Sequence, residues 1–325
     1  MKYLCMTAAL ATVISAGAQS VRTPTGHTIT KATVDAWMGQ LSNWGRWGKE
    51  DQKGTINLLT PARRKQALAA ARDGFPVSLS HTYIEQREAD STSPFGREML
   101  PIGTGDFVSD RFTVAFHGYA HSHMDSLCHM SHDGQMYNGF ARTEVTPAGC
   151  AKLAISNFKQ GIVARGVLLD IARVKGVKYL DAGAPIYVED LEAAESQERV
   201  KVGPGDVLLV RNGRWARRAA LGPWPTAQTG AGLHASVLPW IKARDLAVLG
   251  SDTVNDVLPS QVEGVFEPIH QVVLVAMGTP LFDNLDLEAV ADEAAKRGRW
   301  EFLLTAAPLP VETGTGSPLN VLAIF

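Results

Sequence analysis

The stretch His117-Gly118-Tyr119-Ala120-His121-Ser122-His123-Met124-Asp125-Ser126-Leu127-Cys128-His129 gathers four of the chain's nine histidines beside one aspartate, and His132 follows it closely. Successive side chains of a strand point to opposite faces. If the stretch is extended, His121, His123 and Asp125 therefore share one face, and a turn after Asp125 lets His129 reach the same space. Imidazole and carboxylate together suit zinc, manganese or iron. Three protein ligands leave a position open for water, whose pKa a bound ion lowers from about 16 to roughly 7. A further histidine, with an ordinary pKa of about 6.5, can take and return a proton there. Ser122 and Ser126 lie among the histidines but lack the Gly-x-Ser-x-Gly frame of a serine nucleophile.

Outward from this cluster the pattern is mixed. Arg111 to Phe116 reads as a strand leading into it. Before it, Pro61 to Arg72 reads as a helix, with Thr60 as N-cap, proline at the first helical position and Gly74 beyond the end. After it, Gly166 to Ala172 and Asp206 to Arg211 read as buried strands, with a charged surface helix, Val188 to Glu198, between them. Leu246 to Gly250 is another short apolar run. Leu287 to Arg297 repeats apolar residues at helical spacing, ends at Gly298, and gives way to a strand from Trp300 to Ala306. Without a strict βαβ rhythm, these elements predict an α/β (α+β mixed) single domain. Its core is a mixed, partly antiparallel sheet flanked by helices.

Composition narrows the function classes. The formal net charge of the 325 residues is -2, and no basic block exists to neutralise phosphates, so a nucleic-acid partner is not expected. The glycines Gly230 and Gly232 lack the context of a phosphate loop. Lys2, the apolar run Leu4 to Ile14 and Ala16-Gly17-Ala18 form the pattern of a secretory signal peptide at 1–18. That predicts a secreted or periplasmic protein with no membrane contact after cleavage. Residues 19–37, rich in threonine, read as an exposed lead-in, and 38–325 as the domain itself. Cys128 and Cys150 read as small buried thiols rather than as a disulfide. Trp44, Arg46 and Trp47 are candidates to line a pocket for a cyclic substrate, or else to pack a loop on the core. His234, after the glycines, is a candidate substrate-side residue with packing as the alternative.

The motif His123-x-Asp125-x-x-x-His129 resembles the core of the cyclase family of metal-dependent hydrolases, which includes kynurenine formamidase and isatin hydrolase. Asn43-Trp44-Gly45-Arg46-Trp47-Gly48, Gly54-Thr55-Ile56-Asn57-Leu58, Asp133-Gly134, Met136-Tyr137-Asn138-Gly139 and Gly314-Thr315-Gly316-Ser317-Pro318-Leu319-Asn320 are similar to text in that family's longer members. The resemblance implies a swivelling β/β/α-like architecture and one divalent ion, zinc or manganese, with room for a second. It assigns His123, Asp125 and His270 to metal and His129 to proton transfer. The first ligand is His117, with His121 as the alternative. Asp283 stands where the formamidases carry glutamate, and its shorter reach implies a bond to His129 or an outer role rather than coordination. The implied activity is hydrolysis of an amide, cyclic amide, lactone or ester of a small molecule, aromatic ones included, by a homodimer. A metal-dependent lyase or cyclase, and a periplasmic binding protein without turnover, are the alternatives.

Overall fold

The computed structural model describes residues 26–101, 103 and 105–325. The signal-peptide pattern lies outside them. The core is a nine-stranded sheet. Its strands are β1 (Pro76–Ser78), β2 (His123–Asp125), β3 (Ile162–Asp170), β4 (Val207–Arg211), β5 (Val248–Ser251), β6 (Leu281–Asp283), β7 (Glu301–Ala306), β8 (Gly316–Pro318) and β9 (Leu322–Ile324). They lie in the order β1-β9-β7-β3-β4-β5-β6-β2-β8. The four central strands β3 to β6 run parallel. Antiparallel strands extend the sheet on both sides.

The sequence explains the parallel centre. Parallel strands are covered on both faces and so read as continuous apolar runs. Every residue of Val207-Leu208-Leu209-Val210-Arg211 is buried, as is every residue of β5. Arg211 at the end of β4 is charged and buried, and it donates to Asp170 Oδ1 at 2.6 Å and to Glu288 Oε2 at 2.6 Å. Gly166 in β3 has no side chain for a packing reason: a Cβ there would stand 2.4 Å from the ring of Phe302 on β7.

Helices cover the sheet: α1 (Lys31–Gln40), α2 (Pro61–Leu68), α3 (Val188–Gln197), α4 (Arg214–Leu221), α5 (Leu238–Arg244) and α6 (Glu288–Arg297) are the longer ones. Thr60 caps α2 by accepting from the Arg63 N–H, as its sequence predicts, but the helix closes at Leu68 rather than at Arg72. Asp252, at the end of β5, fixes the entry to α4. It accepts the backbone N–H groups of Asn212, Gly213 and Arg214 at 2.8–3.1 Å.

Three expectations are corrected. The lead-in at 19–37 is not all exposed, because Lys31–Gln40 is a helix capped by Thr30 with Val34 and Trp37 buried. Val34, Trp37 and Leu41 repeat at helical spacing, a signal that the threonine-rich flank obscures. Second, the strand placed at Arg111 to Phe116 forms only over Asp110–Thr113, in an exposed hairpin with Gly96–Met99 outside the main sheet. Third, Cys128 and Cys150 form a disulfide, with Cα atoms 6.5 Å apart. Both segments are drawn together by one stretch of chain, since Ser126 N–H donates to Thr315 O at 3.0 Å and Cys150 N–H to Thr313 O at 2.9 Å.

The disulfide closes a loop with a sequence separation of 22, for which the chain-entropy relation gives about 3 kcal/mol. Cys150→Ser is therefore expected to lower the unfolding free energy by about that much in urea titration, and reductant should do the same to the wild type alone. Equal reductant sensitivity in both proteins would contradict the assignment.

Candidate metal centre

Strand β2 carries two of the candidate ligands and is wholly buried. It is clamped between two antiparallel neighbours. Asp283 of β6 lies across from His123, while Gly316 of β8 and Leu281 of β6 flank Asp125. His123 and Asp125, two residues apart, face the same side. Gly316 is required here: a Cβ on it would meet Met124 O at 2.6 Å and His117 Cε1 at 2.9 Å. Only a glycine lets β8 approach β2 while leaving the imidazole of His117 its place.

Two groups of potential ligands result, and they share one carboxylate. His117, His123 and Asp125 present ligand atoms within 4.8 Å of one another, and so do Asp125, His270 and Asp283. His117 Nδ1 is 2.9 Å and His123 Nε2 3.5 Å from Asp125 Oδ1. His270 Nε2 is 3.6 Å from Asp125 Oδ2 and 3.2 Å from Asp283 Oδ2. Asp125 is 1% exposed, yet neither of its oxygens accepts a well-directed hydrogen bond. A buried carboxylate without donors is costly unless something positive meets it, so the donor set fits a divalent cation.

The far side of each ring selects the nitrogen that faces the centre. His123 Nδ1–H donates to His121 O at 2.8 Å, leaving Nε2 for a metal. His270 Nδ1–H donates to Asp256 Oδ2 at 2.7 Å, again leaving Nε2. His117 is turned the other way, with Nε2 2.8 Å from Thr315 Oγ1 and Nδ1 inward. Such outer partners fix ring orientation and tautomer. Asp256 is itself held by the N–H groups of Ile269 and His270, and Asp283 Oδ1 accepts from Asn255 Nδ2 at 2.6 Å. His270 opens directly onto a π-helical segment, Gln271–Met277, a wide turn often found at functional sites.

Charge follows the same plan. Burial works to raise the Asp125 pKa, but His129, His117, His270 and His123 outweigh it and hold the carboxyl well below its ordinary value. Burial works against a charged His270, yet the carboxylates of Asp283, Asp125 and Asp256 beside it keep its pKa well above the usual one. His129 is shifted downward, chiefly by burial. Its ring stacks on His117 with centroids 4.0 Å apart and planes 5° apart, and its Nε2 is 3.8 Å from Asp125 Oδ2. The side chains of His117 and His129 are about a quarter exposed, so these two rings form the open side of the centre. A cavity of about 240 Å³ adjoins His117, walled by Asp90, Ser93, Tyr119 and Thr226.

The remaining residues singled out from sequence lie elsewhere or differ. His121 is buried against Tyr83, 5.2 Å between centroids, and belongs to neither ligand group. Extended structure begins only at His123, so the alternation that would have put His121 beside it does not reach that far. Asp283 stands with the ligands rather than against His129, because cross-strand register sets it opposite His123 and offsets its short side chain. Trp44 donates to Val275 O at 2.7 Å, and Arg46 pairs with Asp245 at 2.6 Å and covers Trp47 at 4.5 Å. These three pack the loop on the core, and neither tryptophan borders the cavity. His234 caps a short turn by accepting from the Ser236 N–H, also away from the centre.

Several supporting residues escaped the sequence reading. Asp256 and Asn255 carry no motif that links them to residues far along the chain. Thr315, within Gly314 to Asn320, carries no pattern that assigns it a role. Arg214, fully buried, donates to Asn284 Oδ1 at 2.6 Å and to the carbonyl of Tyr119, which fixes the loop beside His117.

Comparison with known proteins bears on the fold. The family model described as "Putative cyclase" matches residues 76–255. A crystal structure of a novel cyclase superposes with a TM-score of 0.80 at 30% identity, covering 88% of this chain and 98% of that one. Isatin hydrolase A from Ralstonia solanacearum shares the fold at a TM-score of 0.54 and 21% identity, covering 82% and 98% of the two chains. Isatin hydrolase A from Labrenzia aggregata, bound to benzyl benzoate, does so at 0.58 and 20%, covering 80% and 97%. No curated protein matches the chain.

Asp125→Asn and His123→Ala are expected to strip the metal from purified protein, as read by elemental mass spectrometry. Asp256→Asn should keep the ligands but weaken metal affinity about 10–100-fold. Full metal content in Asp125→Asn would refute the assignment. A separate prediction concerns His234, whose pKa is pushed down to about 4 by burial and by His27. The unfolded ring, near pKa 6.5, takes up its proton first. Stability is thus intact above about pH 6.5 and lost as pH falls toward 4. His234→Asn, which keeps a capping acceptor, should flatten the urea midpoint across that window.

Proposed function

The chain belongs to the cyclase family, and on that premise we propose that it is a metal-dependent hydrolase of small molecules. It opens the carbon–nitrogen or carbon–oxygen bond of an amide, cyclic amide, lactone or ester. The observation that carries this reading is Asp125, a buried carboxylate without hydrogen-bond donors, shared between two ligand groups and flanked by a histidine that belongs to neither.

In this proposal His117, His123 and Asp125 hold one ion, zinc or manganese, and Asp125, His270 and Asp283 can hold a second. Such an ion supplies a Lewis acid for a carbonyl and makes water more acidic. The chain's own part is positional and acid–base. His129, beside Asp125 and stacked on His117, takes the proton of the attacking water at Nε2 and returns it to the departing nitrogen or oxygen. Asp256 and Thr315 keep the ligand rings from turning. The cavity beside His117, below the roughly 300 Å³ of typical ligand pockets, suits a substrate of about one or two rings. Two fold relatives are named for isatin, a cyclic amide, which makes cyclic amides the first class to try.

His129→Ala is expected to retain its metal while kcat falls about 10²- to 10⁴-fold, with a much smaller change in KM. A metal-loaded wild type inert across amides, cyclic amides, lactones and esters would refute the proposal. A product lighter than its substrate by one water, rather than heavier, would reassign the reaction to a cyclase or lyase.

A further inference from the structure

A recess of about 690 Å³ opens far from the metal centre, where α3 and α6 end and β7 begins. In the sheet β7 is four strands from β6, which is about 19 Å at the usual interstrand spacing. Six cationic side chains line the recess against three carboxyl groups. Most of these cations are already engaged. Arg297 and Arg299 share Asp73, Arg165 pairs with Glu301 at 2.7 Å, and Lys201 pairs with Glu195 at 2.6 Å. Arg72 and Arg199 have no carboxylate partner among the described residues.

Two further observations point to an absent ligand. Glu198 lines the recess and is 8% exposed. Its Oε1 accepts the Asp170 N–H at 3.0 Å, while its Oε2 is buried with no partner. Burial pushes this carboxyl's pKa up to about 8, so at neutral pH it is uncharged and does not repel an anion in the recess. Arg199, which follows it, sits at φ 53, in the left-handed region just past a helix end. Glycine is the residue of least strain there. A cationic side chain is therefore kept where the backbone favours none.

We propose that this recess binds a small anion bearing two or more negative charges, of the phosphate class, held by Arg72 and Arg199 against the flank of Trp300, with Glu198 uncharged beside it. The bland alternative is that these arginines only offset the carbonyl ends of nearby helices. Arg199→Gly separates the two, because glycine relieves the backbone instead of disrupting the fold.

The test is thermal unfolding of the full, metal-loaded protein in inorganic phosphate and in sulfate, with chloride holding ionic strength constant. The expected result is a saturable rise in Tm for the wild type. Arg199→Gly and Arg72→Gln should each weaken it at least tenfold, and anion-free Tm in Arg199→Gly should be unchanged or higher. His129→Ala, which keeps its metal, should keep the response, since the metal centre is elsewhere. A response absent in the wild type, undiminished in either arginine variant, or lost in His129→Ala would overturn the proposal.

Discussion

A carboxylate cut off from water and from hydrogen-bond donors is the constraint around which this molecule is arranged. Asp125 lies on a short strand with a neighbour on each side, so it cannot turn outward to be solvated. Its charge must be met where it is. Four histidines approach it, and each of the three nearest is oriented by a partner on its far side. Removing any one partner would leave the ligands in place chemically but free to rotate, which is why the support extends to Asp256, Asn255 and Thr315.

The rest of the fold serves to hold these pieces still. The parallel strands β3 to β6 form a dry, apolar centre that can bury residues on both faces. β6 then delivers Asp283 in fixed register to β2, and the π-helical segment after His270 packs beneath α1 and the loop that carries Trp44. The disulfide ties the turn that carries His129 to a hairpin at Cys150. His129 thus has two restraints, its stack on His117 and the covalent link of its immediate neighbour.

Much of this was legible in the chain, for reasons that also mark the limits. The density of histidines around Asp125 announced the cluster, because local spacing encodes what one strand and one turn can place together. Three of the four central strands, β3 to β5, and α6 were legible because their apolar runs are undisturbed, although β3 begins at Ile162, before the run read from Gly166, and the short β6 was missed. What escaped depends on pairs far apart in sequence. His117 and His121 could not be separated by spacing alone, since the answer turns on where extended backbone begins. Asp283 looked too short until cross-strand register supplied the missing reach. The cysteines looked like independent thiols because both are brought together by a third segment at 313–315. Trp44 and Trp47 had the composition of a pocket wall, yet hydrogen bonding and cation–π contact commit them to holding a loop.

The position of β8 carries a consequence for how such a centre is assembled during synthesis. This strand closes the outer edge of β2 and supplies both the Gly316 gap and the adjoining Thr315, yet it is made roughly 190 residues after the strand it covers. Until it arrives, His117 has no partner to turn its ring, and the edge of β2 stands open. Isolated histidines on a growing chain would favour whichever ion binds imidazole most strongly. Completing the centre only when the sheet closes would shift that choice from raw affinity to geometry, so that an ion would meet His117 already turned by Thr315.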